Sequence, residues 1–125
     1  MNMKKRILVG NSFPLSLVRH GEVRMTCPSL AEFRSMIGSC EIVSFWGHEN
    51  TRAVAEGVLG ASLRPAVARP ALTVSPEGRP MLDGETFDVC WVLSPDYVPG
   101  YRPAIGTEVG PESITGWCVV KLEWI

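Results

Sequence analysis

The chain has 125 residues, of which 46% are hydrophobic and 20% charged, and its formal net charge is −1 with histidine neutral. This length and balance predict one compact globular domain over residues 1–125 with a real apolar core. The lack of a basic excess argues against a DNA-binding protein. No segment approaches the ~20 apolar residues of a membrane span, so we expect no membrane partner.

Four cysteines offer a clue to the compartment: Cys27, Cys40, Cys90 and Cys118. They form no C-x-x-C pair and have no histidine at zinc-finger spacing, so no metal site is predicted. Most stand in apolar, strand-like contexts, and we therefore expect buried free thiols. Free thiols suggest a reducing compartment, the cytoplasm of a host or bacterial cell. The basic N-terminus precedes an apolar run too short for a signal peptide.

The first half of the chain alternates strand patterns with helix patterns. Three strands are predicted, at residues 5–10, 22–27 and 41–46. The third strand is nearly all apolar, which predicts a central position in the sheet. The second strand alternates as a half-buried strand does.

Two helices are predicted between these strands and after them. The first spans 28–40, with Ser29 as its N-cap and Glu32 completing a capping box. The second spans 51–59, with an inner face of Val54, Val58 and Leu59, and ends at a glycine.

The second half of the chain is rich in strands. A hairpin is predicted over 69–82, turning at Ser75–Gly78, and strands are predicted at 86–94 and 116–125. A loop rich in proline and glycine separates these last two strands. The order of elements predicts an α+β fold with α/β-like features, a mixed sheet of about five or more strands and two main helices.

His48 is the first candidate for chemistry, because it follows a predicted strand directly and precedes a helix N-terminus. Such a position is where α/β folds place ligands. Gly47 allows a close backbone approach, and Asn50 and Thr51 are natural caps of a helix start that attracts anions. A histidine here can bind a phosphate or exchange a proton. The alternative is that His48 only hydrogen-bonds a neighbouring loop.

A second polar loop follows the first strand and contains Asn11, Ser12 and Ser16. If the strands at 5–10 and 41–46 are parallel neighbours, this loop opens beside His48. The alternative is a simple Asx turn. Arg69 and Arg102 are loop arginines suited to pairing with phosphate, or otherwise solvated surface residues.

At these residues the chain resembles the viral ring nucleases, small dimeric anti-CRISPR phosphodiesterases. Their Asn-x-Phe-Ser-x-Asn loop is matched here by Asn11 and Phe13, although Pro14 and Ser16 replace the last serine and asparagine. Their Gly-His-x-x-Thr motif is matched by Gly47, His48 and Thr51. The resemblance implies that His48 is catalytic.

A late segment of the family, which begins with Arg-x-Pro-Glu-Gly, is matched in part. Arg102, Gly106, Val109, Glu112 and Ile114 agree with it, but Ile105 occupies the position of the family's catalytic glutamate. Either Glu108 or another acid takes that role, or His48 acts without a carboxylate, or the protein binds without efficient cleavage.

The resemblance implies a divergent ring nuclease that opens cyclic oligoadenylate, such as cyclic tetra-adenylate, and so switches off type III CRISPR signalling. It implies a two-fold homodimer and no metal or cofactor. His48 and Glu108 are then the catalytic candidates. The substrate-binding candidates are Asn11, Ser12, Ser16, Gly47, Thr51, Arg69 and Arg102. The alternatives are a cyclic-nucleotide sponge and a dimeric protein-interaction module.

Overall fold

The computed structural model describes residues 4–18, 21–68, 70–102 and 110–125. Its helices are α1 (Leu30–Ile37) and α2 (Glu49–Leu59). Its strands, in chain order, are β1 (Lys5–Gly10), β2 (Val23–Thr26), β3 (Cys40–Ser44), β4 (Leu72–Val74), β5 (Pro80–Leu82), β6 (Glu85–Thr86), β7 (Val89–Tyr97) and β8 (Ile114–Trp124). Two short 3₁₀ turns, Leu15–Leu17 and Pro111–Ser113, complete the described elements.

The strands form two sheets, one large and one small. The large sheet has the spatial order β2-β8-β7-β1-β3, and the small sheet has the order β4-β5-β6. β1 runs parallel to β3 and β7, whereas β8 runs antiparallel to β7 and β2. The predicted α+β fold, with a mixed sheet and two helices, is confirmed.

A core lies on each face of the large sheet, because successive side chains of a strand point to opposite faces. On one face, Ile7 and Val9 of β1 pack with Phe33 and Ile37 of α1. On the other face, Leu8 of β1 belongs to a second core. Its other buried members are Phe45, Leu82, Phe87, Cys90, Val92, Leu122 and Trp124.

The prediction that the 41–46 strand is central is wrong, because β3 lies at an edge of the large sheet. Its apolar character comes from the cover on both of its faces. Ile42 and Trp46 join the core beside the helices, while Val43 and Phe45 join the opposite core. Layers above and below can thus cover the apolar side chains of a strand that has one neighbour in its sheet.

The N-cap of α1 and the glycine at the end of α2 agree with the sequence, whereas the start of α2 does not. Ser29 Oγ accepts a hydrogen bond from Glu32 N at 3.1 Å, as the capping box predicts. α2 begins two residues before the predicted start and ends at Gly60, whose φ of 68° is left-handed. Its buried residues are Thr51, Ala55 and Leu59, so its inner face is turned from the predicted one.

The predicted hairpin is confirmed, with β4 and β5 joined by the turn at Ser75–Gly78. β7 runs further than predicted and includes Pro95. The prediction that the cysteines are buried holds for Cys90 and fails for Cys27 and Cys118, which are exposed. Cys27 lies just after the edge strand β2, and Cys118 lies on a part of β8 with little cover.

Candidate functional site

The loops after β1 and β3 meet at the carboxyl edge of the large sheet. Because β1 and β3 are parallel neighbours, both strands end at the same edge. The pairing continues one residue past β3, where Phe45 N donates to Val9 O at 2.9 Å. Just beyond, Gly47 N donates to Asn11 Oδ1 at 3.0 Å. The predicted meeting of the Asn11 loop and the Gly47–His48 loop is therefore confirmed.

His48 is the N-cap residue of α2. Its Nδ1 accepts a hydrogen bond from Thr51 N at 3.3 Å, and its ring is exposed. A backbone N–H can only donate, so Nδ1 is unprotonated in this arrangement and the ring proton lies on Nε2. The exposed ring therefore offers an N–H donor at the helix start, where the helix dipole also attracts negative charge.

Two buried neighbours fix the position of this histidine. Trp46 Nε1 donates to His48 O at 2.9 Å and lies 3.2 Å from Thr51 Oγ1. Thr51 Oγ1 also lies 3.2 Å from both His48 Nδ1 and His48 O. Thr51 is only 5% exposed, so its hydroxyl positions the imidazole instead of facing a ligand.

An open cleft of about 470 Å³ lies at the N-terminal half of α2, and His48 itself is not among the residues that line it. Gly47 and Glu49, the residues before and after His48, both line it. Its full lining is Trp46, Gly47, Glu49, Arg52, Arg64, Pro65, Ala66, Val67 and Ala68. The cleft thus contains an exposed carboxylate and two guanidinium groups close to the helix start.

Arg52 is the more restrained of the two arginines. Its side chain is 14% exposed and lies 3.7 Å from Glu49 Oε1 and 3.7 Å from Glu56 Oε2. Arg64 lies on the exposed segment after α2 and also lines a second, smaller cleft beside β3. Both arginines line the cleft, and arginine is the residue type whose planar guanidinium pairs well with phosphate.

The structure places the other predicted site residues unequally. Ser12 and Ser16 are exposed, on the Asn11 loop and in the 3₁₀ turn after it. Arg69, Ile105 and Glu108 lie outside the described residues, so the predictions for Arg69 and Glu108 stay predictions. The role predicted for Asn11 also stays a prediction, although its amide now has a partner in Gly47.

Arg102 is exposed, just past the tip of a long β7–β8 ribbon. β1 pairs with β7 only as far as Gly10 opposite Val92. β7 then continues to Tyr97, which carries the ribbon about 17 Å beyond the end of β1. In the described part of the chain, no hydrogen bond or ion pair joins Arg102 to His48 of the same subunit.

Sequence reasoning misses the arginines of the cleft and the exact role of His48. Arg52 lies four residues after His48, so helical spacing gives a signal for it. Arg64 gives no local signal, because the path of the chain after Gly60 brings it to the cleft. The N-cap role is missed because the sequence pattern predicts a helix that begins at Thr51.

Neither a metal cluster nor a membrane-spanning helix is found in the residues that the structure covers. Across 4–18, 21–68, 70–102 and 110–125, no three His, Cys, Asp or Glu side chains gather as metal ligands would. Over the same ranges, neither helix has the length and apolar character needed to cross a bilayer.

Comparison with known proteins gives a fold likeness. No protein-family model matches the chain, and no curated protein matches it. A solved structure does match: B116 of Sulfolobus turreted icosahedral virus, with a TM-score of 0.50 and 12% identity. The match covers 97% of this chain and 99% of B116. The chain therefore has a fold that is also found in a viral protein.

Proposed function

We propose that this protein is a divergent viral ring nuclease, which opens cyclic oligoadenylate without a metal and so switches off type III CRISPR signalling. The observation that carries the proposal is the position of His48. Its imidazole caps α2 on an exposed residue, and both chain neighbours of His48 line a cleft that holds two arginines. The likeness of the fold to a viral protein supports the same interpretation.

The reaction requires an in-line attack of a ribose 2′-oxygen on the adjacent phosphorus. It yields a 2′,3′-cyclic phosphate and a free 5′-hydroxyl, so no water is consumed. The protein must orient the nucleotide and stabilise charge on the non-bridging oxygens. In the tautomer described above, His48 Nε2–H serves as a hydrogen-bond donor to a phosphate oxygen. Arg52 and Arg64 supply positive charge from the cleft that the chain neighbours of His48 line.

The neighbours of His48 have supporting roles in this proposal. Thr51 and Trp46 hold the imidazole and its backbone, so that Nε2–H does not have to reorganise during the reaction. Asn11 holds Gly47, and Ser12 and Ser16 are exposed on the same loop for contacts with the ligand. We assign a phosphate-binding role to Arg102 of a second subunit, which a two-fold axis would relate to the first.

The proposal is tested by incubation with labelled cyclic tri-, tetra- and hexa-adenylate, followed by chromatography. We expect linear products ending in 2′,3′-cyclic phosphate from at least one ring, with the same rate in the presence of a chelator. If every ring is recovered unchanged and unbound, the proposal is wrong. If cleavage stops with the chelator and returns with added metal, the metal-free mechanism is wrong.

The variant His48→Asn separates chemistry from folding. Asparagine is a good N-cap but lacks an imidazole, so His48→Asn should keep α2 intact while cleavage falls by ~100-fold or more. Binding of the ring should stay within about tenfold, because the arginines remain. If His48→Asn cleaves at the wild-type rate, the role assigned to His48 is wrong.

A cyclic-nucleotide sponge is the second candidate, favoured by Ile105 at the position of the family's catalytic glutamate. It predicts that ligand stays bound to the protein and is released intact on denaturation. A protein-interaction module is the third candidate. It predicts no nucleotide binding, and the two arginines beside His48 argue against it.

A further inference from the structure

Opening the ring requires a group that takes the proton of the attacking 2′-hydroxyl. His48 cannot do so as it stands in the structure. Its Nδ1 is occupied by Thr51 N, and its Nε2 already carries the proton. A base must therefore come from another side chain at the cleft. Arginine does not serve, because its guanidinium stays protonated.

We propose that Glu49 is this base; the inference rests on the proposed function above. Glu49 follows His48 directly, and it is the carboxylate among the described residues that line the cleft. Its side chain is 87% exposed, so its oxygens are open to a ligand. The carboxylate that the family supplies from its late loop is here supplied from the first turn of α2.

The contacts of the neighbouring carboxylate, Glu56, support this choice. Glu56 Oε2 accepts a hydrogen bond from Leu63 N at 2.7 Å and one from Ser62 Oγ at 3.3 Å. It therefore holds the segment after α2 in place. Glu49 has a single ion-pair partner among the described residues, Arg52 at 3.7 Å, a distance too long for a strong hydrogen bond.

The proposed step balances without a further reactant. Glu49 takes the 2′-hydroxyl proton as the 2′-oxygen forms its bond to phosphorus and the bond from phosphorus to the 5′-oxygen breaks. His48 Nε2–H and the guanidinium of Arg52 stabilise the charge on the non-bridging oxygens. The proton on Glu49 then passes through water to the 5′-oxygen, which restores the carboxylate.

The test compares Glu49→Gln and Glu49→Asp with the wild type on the ring that the wild type cleaves. We expect Glu49→Gln to lower kcat by ~100-fold or more with KM within about threefold, since a general base contributes ~10²–10⁴-fold. Glu49→Asp should restore part of kcat, because it keeps a carboxylate. Glu77→Gln, in the exposed turn after β4, is the matched control and should leave both constants unchanged.

The outcomes separate this inference from the proposed function. Cleavage by Glu49→Gln at the wild-type rate overturns the role of Glu49 but does not contradict the proposed ring-nuclease function. No cleavage by the wild type overturns the proposed function itself. A loss shared equally by Glu49→Gln and Glu49→Asp, with a lowered Tm in both, assigns Glu49 to the helix start and overturns its role as base.

Discussion

His48 uses one nitrogen for the backbone of α2 and keeps the other for solvent. The same ring therefore contributes to folding and to the proposed chemistry. Because the cap consumes Nδ1, the chemistry left to the imidazole is donation from Nε2, and a separate base is required. This division explains why a carboxylate beside the helix start is needed in our proposal.

The cap gives a prediction about stability. His48→Ala leaves Thr51 N without its side-chain acceptor, and we expect it to lower the free energy of unfolding by about 1 kcal/mol. His48→Asn keeps an acceptor at the N-cap, so it should lower the free energy of unfolding by only about a few tenths of 1 kcal/mol. Urea denaturation followed by circular dichroism measures both, and equal losses in the two variants would contradict the cap.

The thiols give a second prediction at this scale. Cys27 and Cys118 are exposed, whereas Cys90 is fully buried and its burial raises the pKa of the thiol. We expect a thiol reagent to modify Cys27 and Cys118 rapidly in the native protein. Cys90 should react only after denaturation, as peptide mapping by mass spectrometry will show. Rapid native labelling of Cys90 would be inconsistent with its place in the core.

Local patterns predict some features and cannot predict others. The Ser29 cap, the turn at Ser75–Gly78 and the left-handed end of α2 depend on residues close in sequence, and the sequence predicts each of them. The edge position of β3 and the place of Arg64 depend on which layers cover which strand. That information lies in contacts between distant segments, so periodicity alone does not contain it.

Among the elements, β7 shows why the length of a strand is hard to predict. Pro95 lacks an N–H and argues for a loop, yet it pairs with Trp117 within the β7–β8 ribbon. Beyond Val92, β7 no longer pairs with β1. A proline is tolerated there, because a strand side without a paired neighbour needs no backbone N–H donor. β7 therefore continues past Pro95 to Tyr97, and the segment that contains Arg102 follows the end of the ribbon.

Arg6 joins three strands through a network of charges. It donates from Nε and Nη2 to Glu85 of β6 at 2.9 Å and 2.8 Å, and from Nη1 to Glu41 of β3 at 2.6 Å. Hydrogen bonds from Arg6 lower the pKa of Glu85 below its ordinary 4.5. The hydrogen bonds that Arg6 donates to Glu85 and Glu41 raise the pKa of Arg6, so it stays charged.

This network predicts a pH dependence of stability. Because the folded-state pKa of Glu85 is lowered, its contribution is complete above about 4.5 and is lost as pH falls through the folded value. Glu85→Gln should lower the free energy of unfolding at pH 7 by up to ~1 kcal/mol, since the groups are partly exposed. The difference from wild type should shrink toward pH 3. Denaturation at both pH values measures it, and a difference that grows toward pH 3 would contradict the assignment.

The whole molecule is a sheet covered by helices on one face and by the small sheet on part of the other. The candidate site lies at the end of the sheet beyond which the β7–β8 ribbon extends, with Tyr97 about 17 Å beyond the end of β1. The proposed function assigns Arg102 of one subunit to the site of its partner in a two-fold dimer, so it predicts that the active form is the dimer.

The dimer is testable by mass. Each chain has a mass of 13.7 kDa, and we expect light scattering after size-exclusion chromatography to give twice that value. Mixing inactive His48→Asn subunits with Arg102→Ala subunits should then restore part of the cleavage, because one cleft of the mixed dimer combines an intact His48 with an intact Arg102. A monomer that cleaves at the full rate would contradict the shared site.

Phe45 and Trp46 are consecutive residues whose side chains enter the two opposite cores. Both cores are anchored to this same short stretch of backbone. We therefore expect the two cores to unfold together, in a single cooperative transition. That stretch ends at Gly47, one residue before the imidazole. Activity should accordingly fade in step with global unfolding as temperature rises, with no inactive but folded species in between.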